Sequence, residues 1–196
     1  MSHYFTNDKI KSDEKTINIK IKNTSLKFKV DNGVFSKKGL DFGTRTLLES
    51  IDIENIKGDV LDFGCGYGPI GIFLAKLTSA NIEMVDINKR AIMLSKKNAI
   101  INEVKVNIYE TNIFSNINKK YDFIITNPPI RVGKKILYEI LMQALNHLKE
   151  NGKLILVINK NQGAKTLLNF LNEKHKAKII NKNKGFYIIE AQNRWH

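Results

Sequence analysis

Cysteine is almost missing from this sequence: Cys65 stands alone, so no internal disulfide can form and the chain suits a reducing compartment. The prolines are three, Pro69, Pro128 and Pro129, and none belongs to a proline-rich linker. There is no internal repeat and no long low-complexity tract to divide the chain. No apolar run approaches the ~20 residues of a membrane span. Met1-Ser2-His3-Tyr4-Phe5 lacks the basic-then-apolar order of a secretion signal, so the expected location is cytoplasmic. His3, His147, His175 and His196 have no metal-like spacing with Cys or carboxylates, and no metal is expected. Acids are scarce: 19 Asp and Glu against 32 Lys and Arg leave a net charge of +13. Such a surface attracts polyanions, although a sequence this rich in Lys, Asn and Ile owes part of its charge to composition. At 196 residues, a single domain with a full core is expected.

What is present is concentrated in a few segments. The apolar run Tyr121-Asp122-Phe123-Ile124-Ile125 reads as a buried strand of a parallel sheet. Thr126-Asn127-Pro128-Pro129-Ile130 follows it, and two prolines cannot continue a central strand. The Asn127 carboxamide is thereby placed at the carboxyl end of a strand, where open α/β sheets bind their ligands. Its oxygen and the Pro128 carbonyl can both accept from one planar amino group, which then loses conjugation and exposes its lone pair to an electrophile. An ordinary strand-ending turn is the competing explanation, because Asn-Pro is common in turns.

Upstream, Val60-Leu61-Asp62-Phe63-Gly64-Cys65-Gly66-Tyr67-Gly68-Pro69-Ile70-Gly71 runs from an apolar strand through a Gly-rich turn into a helix. Gly66, Gly68 and Gly71 also satisfy the dinucleotide fingerprint G-x-G-x-x-G. Asp62 argues against a dinucleotide, since a carboxylate there faces a pyrophosphate with like charge. It suits a cationic amino-acid moiety such as that of S-adenosylmethionine. Pro69 fits the first helical turn. The strand Ile82-Glu83-Met84-Val85-Asp86 ends in an acid about 20 residues beyond the Gly turn, the placement of a ribose-binding carboxylate. A helix N-cap role for Asp86 stays open.

Leu61-Asp62-x-Gly64-x-Gly66-x-Gly68, then Asp86, then Asn127-Pro128-Pro129-Ile130 together resemble class I S-adenosylmethionine-dependent methyltransferases. Within these the chain is similar to the methyltransferase small domain group, which includes bacterial 16S ribosomal RNA guanine-N2 methyltransferases. Gly33-Val34-Phe35-Ser36, Asp41-Phe42-Gly43-Thr44-Arg45, Asn112-Ile113-Phe114 and Arg131-x-Gly133-Lys134 also look like that group's recurring segments. The resemblance runs from about His3 to Ala191. It implies a Rossmann-like, seven-stranded, mostly parallel α/β sheet with helices on both faces and one antiparallel strand. It further implies S-adenosylmethionine as cofactor, with Asp62 and the Gly64, Gly66 and Gly68 backbone on its methionine part, Asp86 on the ribose and Asn112 on the adenine side. Asn127 and Pro128 are then the catalytic pair, orienting a guanine amino group. Pro129, Ile130, Arg131, Lys134 and Lys135 are substrate-binding, with Lys37 and Lys38 adding to the same surface. The implied partner is ribosomal RNA or the small ribosomal subunit, with monomer and homodimer both open.

Two departures matter. Many amino-methylating relatives carry an aromatic residue where Ile130 stands, which weakens the assignment of the base. The best-known ribosomal members have two tandem domains, and this chain matches only the catalytic half. Other amino targets, adenine N6 or a protein glutamine, therefore remain alternatives. So do a nucleotide-dependent oxidoreductase and an RNA-binding assembly factor with a residual cofactor pocket. Cys65, inside the Gly loop, offers no placed nucleophile for pyrimidine carbon methylation.

The expected layout opens with a β extension, residues 1–38, holding a hairpin of Thr16 to Ile21 and Leu26 to Val30 around Lys22-Asn23-Thr24-Ser25. The catalytic domain, residues 39–196, begins with a helix over Leu40 to Ile51. Strands at Asp59 to Phe63, Ile82 to Asp86, Val104 to Tyr109, Tyr121 to Ile125 and Lys153 to Asn159 alternate with helices at Ile70 to Leu77, Lys89 to Ile101, Ile136 to Leu148 and Ala164 to Glu173. Ala177 to Asn181 and Phe186 to Ala191 close the chain as two strands.

Overall fold

The structure, a computed structural model, describes residues 11–32, 34 and 39–193. Lys37, Lys38, Gly33, Phe35, Ser36, His3 and His196, which the sequence reading touched, lie outside the described residues. Strands β1 (Lys15–Ile21) and β2 (Thr24–Val30) form an antiparallel hairpin. Its two turn residues, Lys22 and Asn23, both have positive φ, 46° and 64°. That backbone matches the right-handed twist of the strands it joins. The alternation of the sequence decides which face is buried: Ile19, Ile21, Leu26, Phe28 and Val30 point inward, while Lys20 and Lys27 are exposed.

Helix α1 (Phe42–Ser50) leads into the main sheet, built from β3 (Asp59–Phe63), β4 (Asn81–Asp86), β5 (Asn107–Glu110), β6 (Tyr121–Thr126), β7 (Leu148–Asn159), β8 (His175–Asn183) and β9 (Phe186–Asn193). Their spatial order is β5-β4-β3-β6-β7-β9-β8. The first five pair in parallel, and β9 runs antiparallel to both neighbours. The crossovers are α2 (Pro69–Leu77), α3 (Lys89–Ile101), α4 (Lys134–Asn146) and α5 (Ala164–Lys174).

Successive residues of each central strand feed opposite sides of the sheet. Val60, Ile125 and Ile155 join α1, α2, α3 and the hairpin in one apolar cluster. Leu61, Ile124 and Leu156 join α4 and α5 in the other. Both faces of the sheet are thus covered, as an all-parallel centre requires. Two carboxamides one turn apart, Asn98 in α3 and Asn102 at its C-cap, fasten the hairpin to this body. Asn98 accepts from the Lys29 N–H (2.7 Å) and donates to the Lys29 carbonyl (2.9 Å) and the Tyr67 carbonyl (2.8 Å). Asn102 accepts from the Lys27 N–H (3.1 Å) and donates to its carbonyl (2.8 Å).

Among the boundaries that depart from the sequence reading, three have a clear local reason. β5 starts at Asn107 rather than Val104 because the Val104 N–H is used to close α3, donating to the Ala99 carbonyl at 3.1 Å behind Glu103 at φ 55°. α4 begins at Lys134, released by Gly133 at φ 89°, although cations at a helix start oppose its dipole. Leu148 continues the helical apolar spacing, yet it pairs with Tyr121 and opens β7 instead. Among the described residues, no helix is long and apolar enough to cross a membrane.

Candidate active site

The strand register brings the predicted residues to one level. Asp62 pairs with Ile125, Phe63 with Val85, and Asp86 with Glu110. The Gly turn, Asp86, Asn112 and Asn127 therefore leave four neighbouring strands along the same carboxyl edge. The Thr126 hydroxyl donates to the Phe63 carbonyl at 2.7 Å and ties the end of β6 to the start of the Gly turn.

The first two glycines of the turn border open space. Gly64 and Gly66 have φ of 70° and 56°, and a Cβ on either would meet nothing within 4 Å. Their backbone is thus open to a close approach that side chains would obstruct. Asp86 holds this turn from the side: its carboxylate accepts from the Gly66 N–H at 2.9 Å and from the Asn88 N–H at 2.9 Å. The cap of α3 is Asn88, which accepts from Arg90 and Ala91, so helix capping is not the task left to Asp86. Burial lifts the Asp86 carboxyl above its ordinary range, against the pull of the N–H groups of Asn88, Gly66 and Ile87.

Asp62 lies beneath the turn, fully buried. One oxygen accepts from the Gly71 N–H in α2 at 2.8 Å, and the other has no hydrogen-bond partner among the described residues. Desolvation pushes its carboxyl up to about 7, while the Gly71 bond pulls the other way and the Asp86 charge adds to the rise. An orphaned buried carboxylate oxygen beside open glycine backbone fits a small cationic group. Burial pushes the Cys65 thiol well above its ordinary value, so it is no nucleophile.

Asn127 is half-buried, and its orientation is set from α1. Its amide nitrogen donates to Thr44 Oγ1 at 3.0 Å and to Asp41 Oδ2 at 3.4 Å. Asp41 caps α1, its other oxygen accepting from the N–H groups of Gly43 (2.9 Å) and Thr44 (3.2 Å). A carboxylate oxygen can only accept, so the Asn127 NH2 faces Asp41 and the carbonyl oxygen is left for another donor. Asp41 and Thr44 were visible in the sequence only as part of a recurring segment; the N-cap spacing of Asp41, Gly43 and Thr44 was the available signal.

Beyond Asn127, Pro128 is buried, Pro129 precedes a single helical turn over Ile130–Val132, and Ile130 packs partly on the α4 side. Arg131, Lys134 and Lys135 are exposed at the start of α4, with the Lys134 ammonium 5.4 Å from the Tyr138 ring centroid. Asn112 is exposed in the turn after β5, where its carbonyl accepts from the Ser115 N–H at 3.1 Å. His147 lies apart from the site, stacked on Phe114 at 4.6 Å with its ring nitrogens on the Gln143 and Ile117 carbonyls. Among the described residues, no cluster of His, Cys, Asp and Glu could hold a metal ion.

A sheet of this order, with a glycine turn and strand-end acid on one side and Asn-Pro-Pro on the other, is the Rossmann-like fold of class I methyltransferases. Known proteins place it further. The profile of the methyltransferase small domain matches residues 25–190, and the chain belongs to that family. The methyl donor of the family is S-adenosylmethionine. A Bacillus subtilis protein named as uncharacterised, YbxB, is 42% identical over 199 residues, covering 98% of this chain and 99% of its own. Ribosomal RNA small subunit methyltransferase C of Psychromonas ingrahamii is 38% identical over 151 residues, and that of Haemophilus influenzae 42% over 132. These matches cover 74% and 65% of this chain but 43% and 40% of those enzymes, so the chain spans less than half their length. Among solved structures, the 16S rRNA N2 G1207 methyltransferase (RsmC) of T. thermophilus, in complex with AdoMet and guanosine, superposes with a TM-score of 0.82. Its sequence identity is 24%, over 92% of this chain and 51% of that one.

Proposed function

We propose that this chain transfers a methyl group from S-adenosylmethionine to the exocyclic N2 amino group of a guanine in 16S ribosomal RNA. The observation that carries the reading is Asn127: an amide held by its nitrogen, with no donor on its oxygen among the described residues, level with an open glycine turn. The substrate class follows from relatives named ribosomal RNA small subunit methyltransferase C, and the base from the guanosine-bound structural neighbour. Residues 39–196 carry the catalysis, braced by the hairpin of the 1–38 segment.

In this reading the cofactor supplies an electrophilic methyl group on a sulfonium. The Asp62 carboxylate and the Gly64–Gly68 backbone hold its amino-acid end, Asp86 its ribose hydroxyls, and Asn112 its adenine side. The Asn127 oxygen and the Pro128 carbonyl accept the two amino hydrogens of the guanine and turn its lone pair toward the methyl carbon. The N–C bond forms as the C–S bond breaks, and the S–C electron pair stays on sulfur. The nitrogen, now positively charged, sheds its proton to water, so no strong base is needed. Acceleration comes from alignment and a preorganised polar contact. A guanine that starts out paired is extruded first. Pro129 and Ile130 give the base an apolar wall, and Arg131, Lys134 and Lys135 take flanking phosphates.

Nucleoside mass spectrometry of ribosomal RNA from cells lacking the gene tests this. The expected outcome is loss of one N2-methylguanosine from the small-subunit RNA, restored by the wild-type gene and not by Asn127→Ala. An undiminished level moves adenine and protein glutamine ahead as targets.

A further inference from the structure

Arg131, Lys134 and Lys135 lie on the α4 side of Asn127, whereas Asp41 and Thr44 hold it from the α1 side. On that second side stands a group the sequence reading did not single out. Phe42, the first residue of α1, lies against Phe186, the first of β9, with ring centroids 5.7 Å apart at 50°. Gly43 permits this closeness, since a Cβ there would come within 2.9 Å of the Phe186 ring. Over Phe42 sits the ammonium of Lys184, 5.3 Å from the ring centroid, carried by the turn between β8 and β9. Lys160, in the short turn just past β7, joins it: its N–H donates to the Gly185 carbonyl at 2.7 Å, and its side chain runs along Gly185. Both rings are partly open to solvent and both ammonium groups are exposed. Among the described residues, neither lysine is ion-paired, unlike Lys149, Lys153 and Lys178.

Aromatic faces interleaved with unpaired cations are what single-stranded nucleic acid needs: a base stacks on the ring and the cation takes its phosphate. We infer that Phe42, Phe186, Lys160 and Lys184 form a second RNA contact, which takes a nucleotide flanking the target base on the α1 side. The position supports this. Phe42 follows directly on Asp41, whose carboxylate meets Asn127, so the patch begins one residue from the site. A base stacked on Phe42 moves the Lys184 ammonium outward to the adjoining phosphate. The strand then crosses the carboxyl edge of the sheet with cations on both sides of the extruded guanine, Arg131 and Lys134 on one and Lys160 and Lys184 on the other. This arrangement gives a single domain a grip on both flanks of its target. The inference rests on the RNA reading above.

The test is fluorescence anisotropy with a labelled single-stranded RNA of about 12 nucleotides carrying a central guanine. It is run over a range of salt on wild type, Lys160→Glu/Lys184→Glu and Phe42→Leu/Phe186→Leu, beside methyl transfer to small-subunit RNA and cofactor affinity. The lysine reversal is expected to weaken RNA binding by roughly tenfold or more and to flatten the salt slope by about 0.7 per lost phosphate contact. The phenylalanine pair is expected to lose affinity by about tenfold with its salt slope retained, because stacking releases no counterions. Cofactor affinity stays within twofold in both. The reversed lysines are exposed, so that variant decides the matter if the phenylalanine variant melts early. Wild-type RNA affinity and transfer in the lysine variant overturn this surface and leave the methylation reading intact. A wild-type protein that neither binds the RNA nor methylates small-subunit RNA removes both.

Discussion

In the proposed reaction the chemistry at Asn127 depends on which end of one amide faces the substrate, and the Asp41 contact sets that end. Asp41→Asn keeps an oxygen for the N–H groups of Gly43 and Thr44 but presents an NH2 to the NH2 of Asn127. The Asn127 amide then rotates, meeting its partners with oxygen and offering N–H where an acceptor is needed. Turnover is expected to fall by roughly 10- to 100-fold, with cofactor affinity and melting close to wild type. A well-folded Asp41→Asn protein with normal turnover would show that the Asp41 contact does not orient Asn127. Asp62 predicts a pH effect. Its carboxyl is raised to about 7 by burial, above its value of about 4 in an unfolded chain. Between those values the folded protein holds a proton that the unfolded chain releases, so the Asp62 contribution to stability is full below about pH 4 and is lost as pH rises through 7. Asp86, raised for the same reason, adds with the same sign. Urea midpoints without cofactor should drop between about pH 5 and pH 8, and Asp62→Asn should flatten the decline. An unchanged slope in that variant refutes the assignment. The placement of Asn127, Asp62 and Asp86 along one edge of the sheet was legible because each stands at or next to the end of an apolar strand. Asp41 was not, because its partner lies 86 residues away and no local pattern encodes that meeting.

Among the elements, strands and helices emerged where apolar periodicity was strong, and boundaries failed where a backbone group had two possible uses. Val104 looks like a strand residue, yet its N–H finishes α3; Leu148 looks helical, yet it pairs with Tyr121. The edge strand β8 exposes Lys176, Lys178 and Lys182, and its register shifts between Ile179 and Asn181, both of which discourage pairing with another chain. β2 has a different solution: its free edge is met by the carboxamides of Asn98 and Asn102. Asn98, completely buried, serves three backbone groups, and Asn102 is slightly more open. Asn98→Leu strands the N–H and carbonyl of Lys29 and the carbonyl of Tyr67, at about 1–3 kcal/mol for each group left unsatisfied. Its urea stability should fall clearly further than that of Asn102→Leu, and equal losses would contradict the buried-amide account.

For the whole molecule, the sequence specified the class of sheet and the sign of the surface charge, but not where the charge would gather. A net charge of +13 is a sum, and only the fold reveals that cations stand on both sides of Asn127 while others are spent in the Asp59, Asp122 and Glu83 pairs. The Asn98–Asn102 fastening also works as a vernier. Four residues of helix advance about 6.0 Å and two residues of strand about 6.8 Å. The two scales coincide well enough for two rungs; a third would be about 1.6 Å out of step. The match is therefore finite, and it has one setting. A hairpin displaced by two residues loses one rung outright rather than sliding smoothly, so its position is indexed in whole steps. Because Asn98 also donates to the Tyr67 carbonyl inside the Gly turn, the carboxamide that indexes the hairpin is also the one that steadies the turn.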